Sequence, residues 1–405
     1  MRGASNRPKV FNTAPKLFAL SETEPVAAMI FGSASYGTAP WETIVKTFRS
    51  KLGEETYATI AEYAGSFVDY LADWAGYVRE DAQRSFALAK IDYELERMRR
   101  EVDDFRSQDA RESGAILRHI GQAIRRRVEL LEDEGSEEES EVFERLWTMA
   151  TQRFESVGGT VGGFLAARLG LDESEASTIL EDLRALAFAS WGCIYDSPGA
   201  TGLVIAGFGA EEMFPALQEL RVEPPISGQV RVRTREAVSA QETAALIKPF
   251  AQGDMVYTFM DGIHPRYRGA VISCVYGALG GFKDAVVGAL GDAVPPQLSG
   301  LLDAVVDSLA DNVQQELAEF ESEEMWGPIV GIVKDLGKDE LAEVAETLVN
   351  LTSFRRRVTL DEHSVGGPVD VAVLSKGDGL TWIKRKHYFP AELNPRYFRG
   401  LHGLR

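Results

Sequence analysis

Apolar and polar positions alternate along this chain in blocks of different period. Lys16-Leu17-Phe18-Ala19-Leu20 and Pro25-Val26-Ala27-Ala28-Met29-Ile30-Phe31-Gly32 are short apolar runs separated by polar Ser21-Glu22-Thr23-Glu24. They predict a hairpin of buried strands. From Thr38 to Gly53 the period changes: Trp41, Ile44, Val45, Phe48 and Leu52 recur at three-four spacing, Pro40 stands where an early helical proline is tolerated, and Gly53 stops the pattern. A second helix is predicted from about Tyr57 to Tyr77, with Ile60, Tyr63, Ala64, Phe67, Leu71 and Trp74 on one stripe.

Between about Arg79 and Arg153 the text turns to long charged helices, in which Arg125, Arg126 and Arg127 precede an acidic stretch from Glu132 to Glu141. Such runs read as solvated faces or a loop between helices, with a partner-docking surface as the sharper alternative. A helix from about Glu173 to Ser190 follows. Gly202 to Gly209 reads as a fully buried strand ending in a glycine turn, and Gln229 to Ala237 alternates Val230, Val232 and Thr234 with Arg231, Arg233 and Arg235, a strand with one wet face. Met255 to Ile263 is apolar enough for a helix. Gly269 to Asn350 is again helical, with breaks such as Gly291 to Pro296, and Val365 to His387 reads as two strands around Lys376-Gly377-Asp378-Gly379. Strands come early and late and helices fill the middle, which is an α+β layered pattern and not the strict alternation of a doubly wound sheet. No long internal repeat is visible.

Composition narrows the chemistry. The 405 residues hold 43 basic and 62 acidic side chains, a net charge of −19, which disfavours nucleic acid and anionic membrane as partners. Cys193 and Cys274, the two cysteines, each lie in an apolar stretch and read as buried reduced thiols. With no signal-peptide pattern at Met1 and no apolar run of roughly the 18 residues that span a bilayer, the chain reads as cytosolic. His119, His264, His363, His387 and His402 show no metal-ligand spacing, so neither metal nor cofactor is expected. Gly158-Gly159 and Gly162-Gly163 are weak phosphate-loop candidates that serve equally well as helix breaks. Phosphate-binding, zinc-protease and serine-hydrolase motifs are absent.

What rises above this background is a combination: Lys16-Leu17-Phe18, then Gly32 at the end of the next strand, then a helix, then Leu203 to Gly207, and finally Asp361-x-x-Ser364-Val365-Gly366-Gly367-Pro368-Val369-Asp370-Val371-Ala372-Val373-Leu374. It resembles the β-type subunits of the proteasome and their bacterial relatives in the N-terminal-nucleophile hydrolase superfamily. The resemblance covers roughly 9 to 75, 174 to 260 and 339 to 389. It implies a four-layer αββα sandwich with large helical insertions: 9–78 the first part of the core, 79–170 a helical insertion, 171–262 the middle of the core, 263–338 a second insertion, 339–389 the C-terminal part of the core and 390–405 a tail.

The resemblance also implies roles. Lys16 would be the lysine whose ammonium lowers the nucleophile's proton affinity. Gly32 would offer its backbone N–H to the developing oxyanion. Asp361 and Ser364 would orient the terminal amine, although Val365 is inserted before Gly366-Gly367, and the serine the family carries before its third helix falls near Ala251-Gln252-Gly253. The family's threonine nucleophile lies well upstream of the lysine, and counting back from Lys16 runs past Met1; Ser5 and Thr13 are too close to Lys16 to replace it. Two expectations follow. Either a longer natural form supplies the threonine and its hairpin, and the protein hydrolyses peptide or amide bonds, or the chain is a catalytically silent scaffold of the same fold whose insertions contact partners. The resemblance also implies self-association or a ring-like oligomer, against which the long insertions stand as segments able to block or redirect stacking. A third reading is an unrelated helical adaptor with a small sheet.

Overall fold

The computed structural model describes residues 15–108, 113–133, 140–156, 180–241, 245–290, 296–359, 368–386 and 393–394. The described residues divide into two units, one within 15–239 with 375–379 and the other within 240–374 with 380–394. Helices and antiparallel sheets make it an α+β protein.

In the first unit, β1 (Leu17–Ala19), β2 (Val26–Gly32), β5 (Thr201–Gly207), β6 (Ala216–Ile226) and β7 (Gln229–Ser239) lie side by side in that order, every neighbour antiparallel. The predicted opening hairpin is β1–β2, closed by the Leu20 amide donating to the Val26 carbonyl at 2.9 Å. Two-residue strands β3 (Ser35–Tyr36) and β4 (Ala39–Pro40) pair with each other, so the first helix, α1 (Trp41–Leu52), starts only after Pro40, which is extended at φ −62° and ψ 136°. The second, α2 (Ile60–Ala75), starts where the Thr59 side chain accepts from the Glu62 amide.

Strand alternation gives the sheet two faces. Phe18, Ala28, Ile30, Leu203, Ile205, Leu220 and Val222 lie on one, in register, and pack against Trp41, Ile44, Val45 and Phe48 of α1 and Ile60, Tyr63, Phe67 and Leu71 of α2. The other face carries Ala27, Met29, Phe31, Gly202 and Val204 and then, toward β7, Arg221, Glu223, Arg231 and Arg233. The Phe31 ring lies against Gly202 so closely that a Cβ there would sit 1.9 Å from it, which is why this strand position is a glycine.

The helical insertion follows as α3 (Glu80–Gln108), α4 (Ser113–Asp133), α5 (Ser140–Ser156) and α6 (Leu180–Gly192). These helices enclose a second core in which Phe86, Ile91, Leu95 and Met98 meet Ile120, Ile124, Leu183, Leu186 and Trp191. The glycine pairs of 158–163 and the start of the helix predicted at Glu173 lie outside the described residues.

The second unit is mainly helical: α7 (Asp254–Asp261), α8 (Pro265–Leu290), α9 (Pro296–Phe320), a single π-helical turn at Glu321–Trp326, α10 (Gly327–Val333) and α11 (Lys338–Val358). The closing pair of strands is β8 (Val371–Ser375) and β9 (Gly379–Lys384), around the predicted turn. Two expectations need correction. Cys193 is buried but Cys274, on α8, is exposed, because α8 buries none of its residues. And α8 is, among the described residues, one helix long and apolar enough to cross a bilayer, with mean hydropathy 1.4 over its most apolar window. Lys283 and Asp284 interrupt the run, which hides it from a search for uncharged stretches.

Candidate functional site

The residues singled out in the sequence fall into two groups. Lys16 and Gly32 are at the same end of the β1–β2 ladder: Leu17 pairs with Met29, and the Ile30 amide donates to the Lys16 carbonyl at 2.8 Å, so Lys16 stands opposite Ile30, two residues before Gly32. Both are exposed. Asp361 and Ser364 lie outside the described residues, as do Val365, Gly366 and Gly367. Just beyond them, Asp370 accepts from the Lys386 amide at 2.7 Å and Val371 is buried.

The Gly32 turn is held by β5 and the residues before it. Gly32 has φ +81°, and a Cβ would come within 2.7 Å of the Ala200 carbonyl oxygen. Glycine is thus required both by the left-handed backbone and by the close approach. The Ser33 amide donates to that same carbonyl at 3.2 Å. The Thr201 hydroxyl donates to the Ser33 carbonyl at 3.2 Å and accepts from the Trp41 indole at 3.0 Å, so a buried side chain of α1 fixes the strand end where the chain turns. Chemically, this edge offers an exposed ammonium and an accessible backbone next to a rigid turn.

A second constellation was not anticipated. Lys90 of α3 and Glu223 of β6 are both fully buried; the Lys90 ammonium donates to the two Glu223 oxygens at 2.9 Å each and to the Cys193 carbonyl at 2.8 Å. Arg231 of β7 donates to Glu223 from Nε at 3.1 Å and Nη2 at 3.0 Å, and to the Cys193 carbonyl at 2.9 Å. The Ser197 hydroxyl adds a bond to Glu223 at 2.8 Å. Lys90 also lies over the Tyr195 ring, 4.4 Å from its centroid.

One turn on, Glu94, almost fully buried, takes a bidentate pair from Arg127 at 2.9 and 3.1 Å. Burial lowers the Lys90 pKa from 10.5 to about 8, a fall that the Glu223 charge partly offsets. Burial likewise pushes the Tyr195 phenol up, reinforced by the Glu94 charge. The Lys90 and Glu223 heads are satisfied by protein partners, so this is an ionic staple between the helical insertion and the sheet and leaves no group free for a substrate.

The signal that could have revealed it was a charge on an apolar stripe: Lys90 and Glu94 fall between Phe86, Ala87, Ile91, Leu95 and Met98. Of the arginine run read as a solvated face, Arg125 and Arg126 are exposed, whereas Arg127 is the partner of buried Glu94.

Among the described residues no group of three or more His, Cys, Asp or Glu side chains could hold a metal ion. A comparison of the chain with protein-family models, with curated proteins and with solved structures finds no match.

Proposed function

We propose that this chain is the body of an amide hydrolase of the N-terminal-nucleophile type, built like the β-type proteasome subunits as a four-layer αββα sandwich. The observation that carries the reading is the β1–β2 register, which sets Lys16 and Gly32 at one end of neighbouring strands, in a five-stranded antiparallel sheet closed on one face by α1 and α2. On the opposite face Ala27, Phe31 and Val204 are already buried within the chain, so the second sheet layer of the sandwich is the part of this reading that the register does not support.

In this reading a threonine heading the natural chain attacks the substrate carbonyl. Its hydroxyl proton passes by way of its own amine to the departing nitrogen, the C–N bond breaks, and water then hydrolyses the resulting ester. Lys16 stabilises the nucleophile's deprotonated form, the Gly32 amide meets the oxyanion, and Asp361 with Ser364 orients the amine. The exposure of Lys16 favours the second reading, a catalytically silent, partner-binding member of the same fold, because an activating lysine is more effective when buried against its nucleophile.

Terminal sequencing and intact mass of the protein from its native source separate the two. The first reading expects a mature threonine N-terminus upstream of Arg2, and peptide-amide turnover that falls about a hundredfold or more in Lys16→Ala with unchanged thermal unfolding. A mature chain beginning at Met1, or turnover that Lys16→Ala leaves intact, ends it.

A further inference from the structure

In the second unit, three helix ends meet around a small cavity of ≈ 80 Å³. The start of α7 brings Asp254, the start of α8 brings His264 and Arg266, and the last turns of α11 bring Thr352, Arg355 and Arg356. Three guanidinium groups therefore converge with one carboxylate in a chain whose net charge is −19.

The pairing of these cations is uneven. Arg356 reaches Asp254 at 3.8 Å. Arg355, half-buried, has as its hydrogen-bond partner among the described residues the Met255 thioether, at 2.7 Å from Nη1. A thioether is a weak acceptor, and a guanidinium withdrawn from water calls for charged oxygens. Arg266 forms no side-chain hydrogen bond or ion pair among the described residues, and its backbone amide is turned to His264 Nδ1 at 3.1 Å. Basic residues in the last turn of α11 do suit the helix dipole. That accounts for exposed Arg357 but not for Arg355 packed on sulfur. Ala251, which leads into α7, has φ +70°, a backbone conformation that costs a non-glycine residue about 1 kcal/mol or more.

We propose that this cavity is an anion site for a phosphoryl group, held by Arg355 and Arg266 with Arg356 and the Thr352 side of α11 as its wall. By this measure of volume a water molecule needs about 10–15 Å³, so ≈ 80 Å³ admits a group of about five to eight heavy atoms, enough for a phosphate. Bidentate guanidinium geometry matches its oxygens. The ligand is free phosphate or the phosphate of a monoester; both offer the same oxygens.

The test titrates the full chain calorimetrically with inorganic phosphate, phenyl phosphate and acetate at matched ionic strength. Phosphate is expected to bind several-fold more tightly than acetate, and Arg355→Gln to weaken phosphate about tenfold. Phenyl phosphate binding as well as phosphate identifies a phosphorylated ligand, and its exclusion identifies the free ion. Arg266→Gln, at an exposed position, is expected to weaken phosphate by a smaller factor and carries the test alone if Arg355→Gln does not fold. Acetate binding as tightly as phosphate overturns the proposal, as does unaltered phosphate affinity in folded Arg355→Gln or, where that variant does not fold, in Arg266→Gln.

Discussion

The first unit is stabilised in two different ways on the two faces of one sheet. Against α1 and α2 the contacts are aromatic and aliphatic, with Phe67 stacked near Trp41 and edge-on to Phe48 at 4.9 Å between centroids. Toward α3 the end of the sheet is closed by charge: Glu223 receives Lys90, Arg231 and Ser197. An apolar layer tolerates a lost group by losing its contact area and leaving a cavity. A buried ionic node behaves differently, because removing one member strands the charge of another in a medium that does not solvate it. The two faces should therefore respond to substitution with different signatures.

The largest expected effect is at Glu223. Glu223→Leu leaves Lys90 and Arg231 without their carboxylate and should cost about 3–5 kcal/mol in urea unfolding. Lys90→Met combined with Glu223→Leu should recover the part of that loss due to Lys90, while Arg231 keeps the Cys193 carbonyl but lacks its carboxylate, and adding Arg231→Met should recover most of the rest. If the double variant is as unstable as the sum of its parts, the node is not a self-contained ionic unit and the comparison fails.

A smaller effect is set by pH. Native Lys90 releases its proton near pH 8, against an ordinary value of 10.5. Between these values the unfolded chain binds the extra proton, so stability should rise with pH across this window, by up to about 3 kcal/mol. Below about 8 the ammonium is charged in both states, and its burial cost is fully present. Unfolding curves at pH 8 and pH 10 for the parent and Lys90→Met test this: the rise should be absent from the variant after common changes are subtracted.

The smallest effect belongs to the apolar face. Thr201→Val removes the acceptor of the buried Trp41 indole and should cost about 1–2 kcal/mol, with no rescue from any charge substitution and no pH dependence between 8 and 10.

Much of the apolar face could be read from the text. Trp41, Ile44, Val45, Phe48 and Leu52 at helical spacing gave α1, and Val230 and Val232 alternating with arginines gave β7, because burial on one side imposes a period that the residues display. The strand before it, β6, carries the same alternation, Glu219, Arg221 and Glu223 with Leu220 and Val222, but Pro224-Pro225 follows, a pair that ordinarily argues against a strand. The ionic node was hidden for a different reason. Lys90 and Glu94 are four residues apart on α3, a spacing that reads as a local pair on a wet surface. In the fold each takes a partner more than thirty residues away, Glu223 and Arg127. Of the candidate site, the placement of Lys16 and Gly32 at one end of a single hairpin was legible because it is local, whereas the phosphate-sized cavity joins helix ends distant in the chain.

The Cys193 carbonyl, gripped by both Lys90 and Arg231, lies a few residues ahead of the Ala200 carbonyl that walls the Gly32 turn. The intervening stretch is pinned at its middle by Ser197 on Glu223 and by the Ala200 amide on the Ser197 carbonyl at 3.1 Å. That run acts as a short strut between the interior of the helical insertion and the outer edge of the sheet. Loosening the anchor at Lys90 would let the far end of the strut drift, and the rim carrying Lys16 would register the disturbance without any of its own atoms having been altered.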